Sequence, residues 1–275
     1  MEKVGNLKIP GISENEYSEN RPSSEEMVYL KRAASQERKG LYDRAIASIR
    51  KALEIAPGRA STYARLAMLC RAARKFDEAF VALKTGMECN PRDTELREML
   101  LQICMESGKY EEAISESKRL LKQLPRNVYA RDVLSMAYLQ KGDYDKALRV
   151  TDELIFIDPL DPTNHFKKAV IYQQKGEIGA AMLEYARVLE LDNQSEVAED
   201  AQEAMISLDD LQLRQIITLA VEDALFRAKL ARDPEFATAE RGFVLSSNAL
   251  SALGQLDFDG MAECDSAAPR YSVYS

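Results

Sequence analysis

Apolar positions along this chain recur with a helical rhythm. Stretches of about 14 residues that keep apolar side chains on one face run up to Gly40, Gly108, Gly142 and Gly176, and a second stretch opens two residues after each glycine. Tyr110-Glu111-Glu112-Ala113-Ile114 shows how the second stretch begins: an aromatic, acidic residues suited to a helix N-terminus, then the apolar face. The alternation is itself periodic. Prolines stand at Pro57, Pro91, Pro125 and Pro159, each 34 residues after the last, and Ala45, Ala79, Ala113, Ala147 and Ala181 keep the same step. Tyr42, Phe76, Tyr110 and Tyr144 keep it too, with Ile178 in the fifth place, and Arg74 substitutes once in the glycine register.

Each residue type has a physical task. The glycine can take the left-handed conformation that closes a helix. The alanine, three places after the aromatic, lets two helices approach closely. The proline cannot continue a helix and marks the turn into the next copy. Each copy is therefore two antiparallel helices, and five tandem copies run over 26–59, 60–93, 94–127, 128–161 and 162–195. A single copy cannot bury its apolar face, whereas stacked copies bury a continuous one.

Period and pattern resemble the tetratricopeptide repeat family, over residues 26 to 195. The resemblance implies an all-α chain in which the hairpins stack into a right-handed α-solenoid. Several positions depart from the family pattern. The early aromatic is present as Tyr29 and Tyr63, but Arg97, Arg131 and His165 stand there later. The small residue of the first helix is Ala33, Ala67, Ser135 and Ala169, but Leu101 in the third copy, where it should push the helix pair apart. The fifth copy has Lys168 where leucine is usual and ends without proline.

Residues 196–208 read as a capping helix: Ser195 suits an N-cap, and Glu199, Gln202 and Glu203 give a polar outer face. Residues 209–256 read as a separate helical segment. Its first helix spans Asp209 to Arg232 and carries Leu213, Ile216, Ile217, Leu219, Ala220, Val221, Ala224, Leu225 and Phe226 on a wide face. Pro234 opens a short helix ending near Gly242, and Ser246 or Ser247 caps a third through Leu253. These helices are expected to form a mini-bundle or dock on the last repeats. Residues 1–25 read as a flexible segment and 257–275 as a disordered tail.

Composition narrows the function. The 275 residues are 46% apolar and 30% charged with one His and no Trp, which suits a helical core and leaves little material for metal or nucleophile chemistry. Residues 1 to 193 carry 31 Lys+Arg against 30 Asp+Glu, and residues 194 to 275 carry 6 against 15, a distribution that argues against binding a phosphate backbone. No long apolar run reads as a membrane span or signal, and Cys70, Cys89, Cys104 and Cys264 show no paired spacing, so free thiols and a cytoplasmic location are expected. Cys70, Cys104 and also Cys89 are expected in the core, and His165 in a structural role. Neither catalysis nor a cofactor or metal is expected.

The resemblance places a concave groove on the first helices and implies that it holds another protein, as a peptide or amphipathic helix. The inward positions fall on Met27, Leu30, Met68, Arg71, Gln102, Met105, Tyr129, Asp132, Met136, Leu139, Phe166, Val170 and Gln173. Arg71, Gln102 and Asp132 would set orientation among flexible, polarisable methionines. The Lys and Asn with which co-chaperone members grip a carboxylate are replaced by Leu30, Ala34, Ala64 and Met68, so that use is not expected. Two other readings remain. The run from Leu219 to Asp257 resembles helical leader segments of bacterial ribosomally made peptide precursors, with a modifiable tail bearing Cys264, Ser266, Ser272 and Ser275. The chain could instead self-associate through 209–232 as a homo-oligomeric scaffold.

Overall fold

The computed structural model describes residues 22–258. Residues 259–275 of the expected tail, with Cys264, and most of the expected N-terminal segment lie outside them, whereas Phe258, placed in that tail, is buried in a core. Among the described residues there are fourteen α-helices and no strand. They are α1 (Ser24–Glu37), α2 (Tyr42–Ile55), α3 (Ala60–Ala72), α4 (Phe76–Cys89), α5 (Thr94–Glu106), α6 (Tyr110–Gln123), α7 (Val128–Gln140), α8 (Tyr144–Ile157), α9 (Pro162–Lys175), α10 (Ile178–Leu191), α11 (Glu196–Glu222), α12 (Ala224–Arg232), α13 (Pro234–Glu240) and α14 (Ser247–Gly254). The chain forms two compact units whose boundary falls within α7, between Val133 and Leu134.

In the first unit the hairpins α1–α2, α3–α4 and α5–α6 follow one another at the repeat step. The glycine register does what its chemistry allows: Gly40 and Gly108 adopt φ of 69° and 72°, and Arg74, forced into the same role, adopts 57°. Ala33, Ala45, Ala67, Ala79 and Ala113 are buried where helices cross. Leu101 is fully buried in the small-residue place, and α5 and α6 approach less closely than α1 and α2 or α3 and α4. The copies are also stitched by charge. Asp43 and Asp77, one repeat apart, take the Lys75 and Lys109 ammonium groups of the following copy at 2.7 and 2.8 Å.

The second unit holds the remainder of α7, α8, the α9–α10 hairpin and the C-terminal helices. Ser135 fills the small-residue place with its hydroxyl bonded to Thr151 Oγ1 at 2.6 Å, so the buried polar groups are satisfied. The expected boundary at 208/209 is absent. α11 continues for 27 residues and stops at Asp223, which caps α12 by accepting from the backbone N–H groups of Leu225 and Phe226. Asp209 and Asp210, read as a helix start, therefore lie inside a helix. Pro234, Gly242 and Ser246 do punctuate the last two helices, with Gly242 at φ 80°.

Helices α11 to α14 close a small core of Ile216, Ala220, Phe226, Leu230, Ala237, Leu253 and Phe258. This bundle is also docked on the fifth copy. Val244 packs into the core of α9–α10, and Gly179 of α10 leaves room for it: a Cβ there would lie 2.9 Å from Val244 Cγ2. Gln212 secures the same strip from α11, donating to Val244 O at 2.8 Å and accepting from Val244 N at 3.0 Å.

Candidate functional site

The departures from the repeat pattern find their reason in the packing. In the second copy Tyr63 lies over Gly86, where a Cβ would come within 2.7 Å of the tyrosine Cβ. The third and fifth copies lack the tyrosine, and the place of Gly86 is taken by the buried Leu120 and Val188. Their basic residues are paired at identical spacing: Arg97 with Glu116 at 3.4 Å, and His165 Nδ1 with Glu184 at 2.8 Å. Lys168 then bonds Glu184 at 2.9 Å and Asp152 at 3.0 Å, which explains a lysine in a leucine position. His165 is a packing residue hydrogen-bonded to the carboxylate that Lys168 also holds. Cys70 and Cys104 are buried free thiols, pushed up to about 11 and about 12 by burial. Cys89 differs from expectation: as the last residue of α4, at the turn into the next copy, it is exposed.

Within the first unit the first helices of successive copies touch through side chains. Glu37 of α1 meets Arg65 of α3 at 2.7 Å, Arg71 of α3 meets Glu106 of α5, and the Tyr129 hydroxyl of α7 donates to Glu98 O of α5 at 3.5 Å. The Arg71 contact is two-pronged, Nε to Oε2 at 2.7 Å and a second guanidinium nitrogen to Oε1 at 2.6 Å. It holds the guanidinium firmly protonated. Gln102 donates to the same Glu106 at 3.1 Å. Arg71 and Gln102 are thus already engaged with a carboxylate that the sequence reading did not single out. Opposite charges one repeat apart on first helices were the available signal. Burial, then the negative neighbours Glu98 and Asp132, push the Tyr129 phenol above its ordinary range.

Apolar side chains stand between these pairs. Met68 is 56% exposed and Tyr129 38%, while Met27, Leu30, Met105 and Asp132 are half-buried. Met68 and Ala64 line a cleft of about 720 Å³ with Ala60, Leu96, Arg65 and Glu95. The cationic groups at this cleft are taken, Arg65 by Glu37 and Arg59 by the buried Glu26 at 2.9 Å. Glu95 makes no ion pair among the described residues.

In the second unit Met136, Leu139, Phe166, Val170 and Gln173 are half-buried. Three of them have structural duties. Phe166 and Val170 pack on the core of the fifth copy, with Phe166 edge-on to Tyr185 at 5.5 Å. Gln173 accepts the Tyr185 hydroxyl at 2.7 Å, and burial pushes that phenol up to about 12.

Comparisons with known proteins agree with this architecture. Two tetratricopeptide-repeat family models match, one over residues 105–164 and the other over 28–59 and 163–195. Among solved structures, MamA (residues 41 to its end) from Desulfovibrio magneticus RS-1 superposes with a TM-score of 0.55 at 12% identity, covering 64% of this chain and 99% of that one. A second MamA structure gives 0.54 at 21% identity over 62% of this chain and 92% of that one. YrrB, described as a TPR protein with an unusual peptide-binding site, gives 0.52 at 18% identity over 69% and 96%. Identities this low speak for the fold alone. No curated protein sequence matches the chain.

Proposed function

From a chain that carries tetratricopeptide repeats, we propose an adaptor that holds a partner polypeptide on the face formed by its first helices. The observation that carries this reading is the unit-one cleft, where Met68 stands more than half exposed between helices that are otherwise fastened to each other by paired charges. A fixed frame with an uncovered apolar floor lowers the ordering cost of binding. The free carboxylate of Glu95 favours a partner that presents a basic residue beside an apolar one.

The test uses the full chain to select binding peptides from a random display library. Replacing Met68 and Tyr129 together by Glu should lower affinity for the selected peptides at least about tenfold, equivalent to about 1.4 kcal/mol. Helical content should be unchanged, because both side chains are exposed. Undiminished affinity removes the face from the account.

The peptide-precursor reading meets a specific obstacle. Its leader-like segment supplies Phe226, Leu230, Ala237 and Leu253 to the closed C-terminal core, so an enzyme would have to extract it before reading it.

A further inference from the structure

The repeat supplies its own control for one surface. At the penultimate residue of the second helix the copies carry Glu54, Glu88, Lys122 and Glu190, all exposed. The fourth copy carries Phe156 there, 87% exposed. Three residues into the following turn the same thing happens: Gly58, Arg92, Arg126 and Gln194 elsewhere, but Leu160 here, 72% exposed. Ile157 beside them is 43% exposed. Two solvent positions that carry charged or polar residues, or once a glycine, in the other copies have become an apolar knob, and large apolar groups held this far into water mark contact surfaces. The knob is flanked by Asp158 and Asp161, whose carboxylates accept backbone N–H groups of their own turn and make no ion pair among the described residues.

The same unit carries a fitting receptor. Leu211, Leu219 and Phe243, with Thr218 and Gln215, line a groove of about 410 Å³ in the C-terminal bundle. Arg214 also lines it and has no carboxylate partner among the described residues. We propose that the Phe156–Leu160 knob of one copy of this chain seats in the Leu211–Phe243 groove of a second copy, with Arg214 facing Asp158 and Asp161. Two points favour a second copy over an unrelated partner. The acidic flanks of the knob and the Arg214 guanidinium of the groove are complementary in charge, as the two surfaces are in polarity. Both features lie on one folded unit, so every copy brings both halves of the contact. Knob and groove are different surfaces, so the pairing is head-to-tail and propagates unless it closes into a ring.

Sedimentation velocity on the full chain tests this. The wild-type chain should show a mass that rises with concentration. Phe156→Glu with Leu160→Arg, which restores residues that other copies carry at these positions, should be monomeric throughout. So should Leu211→Glu with Arg214→Glu, at exposed positions of the groove; unchanged thermal melting of both variants verifies their folds. Mixing the two should give a single one-to-one dimer and nothing larger, because the first keeps its groove and the second its knob. A wild-type chain that stays monomeric overturns the proposal, as does association that survives either pair of substitutions, or two variants that remain monomeric when mixed. The library-selected peptides of the preceding test bind a different surface, so either result stands without the other.

Discussion

Arg74 occupies a backbone position that glycine holds in the other copies, with φ of 57°. A side chain in that region costs roughly 1–2 kcal/mol, offset in part by its guanidinium 5.9 Å above the Phe76 ring. Arg74→Gly should therefore stabilise the chain by about 0.5–1 kcal/mol in urea unfolding, after allowing for the looser unfolded state. Gly86→Ala should do the opposite, by roughly 1–3 kcal/mol, since the added methyl collides with Tyr63. Glu116 is a buried charge held by its partners. Burial alone would raise its pKa, but the bonded Lys84 ammonium, with Arg119, outweighs that and holds the carboxyl below the usual glutamate range. A group depressed on folding stabilises fully above its unfolded pKa, so this contribution should fade as pH falls below the ordinary 4.5 through the lower folded value. In Glu116→Gln the acid limb of a stability-versus-pH curve should be shallower, and stability at pH 7 lower by about 3 kcal/mol. These pairs were only half legible. Arg97 and His165 announce themselves as misfits, but their partners Glu116 and Glu184 become visible only when the second helices are compared at the same spacing.

Elements were legible where a residue forbids continuation and illegible where none does. Gly40, Gly108 and Pro234 end or open helices because of their backbone chemistry, and the structure follows them. Between Ser207 and Asp210 nothing stops a helix, so the cap and the C-terminal helix are one element. Asp209, read as the first residue of a helix, is instead buried in mid-helix, where it accepts from Ser246 N at 3.0 Å and from the Ser246 hydroxyl. The docking of the bundle depends on a residue with no side chain, which periodicity does not mark. Gly179→Leu should displace Val244 and uncouple the strip held by Gln212. Hydrogen exchange should then accelerate at the Val244 amide, while amides of α1 to α6 keep their protection. Unchanged exchange at Val244 would show that the close approach is not what holds the strip.

At the scale of the whole molecule, the helical repeats were plain from composition and register alone, because proline, glycine and alanine each act locally. The proposed binding face was less so. Which side chains on the first helices are free depends on partners outside their own helix: Arg71 is engaged by Glu106 of the next copy, Gln173 by Tyr185 of its own, and Met68 by nothing that covers it. No helix among the described residues is long and apolar enough to cross a membrane. The most direct measurement is site-directed photo-crosslinking of the full chain with library-selected peptides. A photoreactive residue would replace Met68 on the first-helix face or, as the control, Val81, which is 62% exposed on a second helix. The account requires peptide adducts from position 68 and none from position 81; adducts from position 81 alone, or from neither, would contradict it.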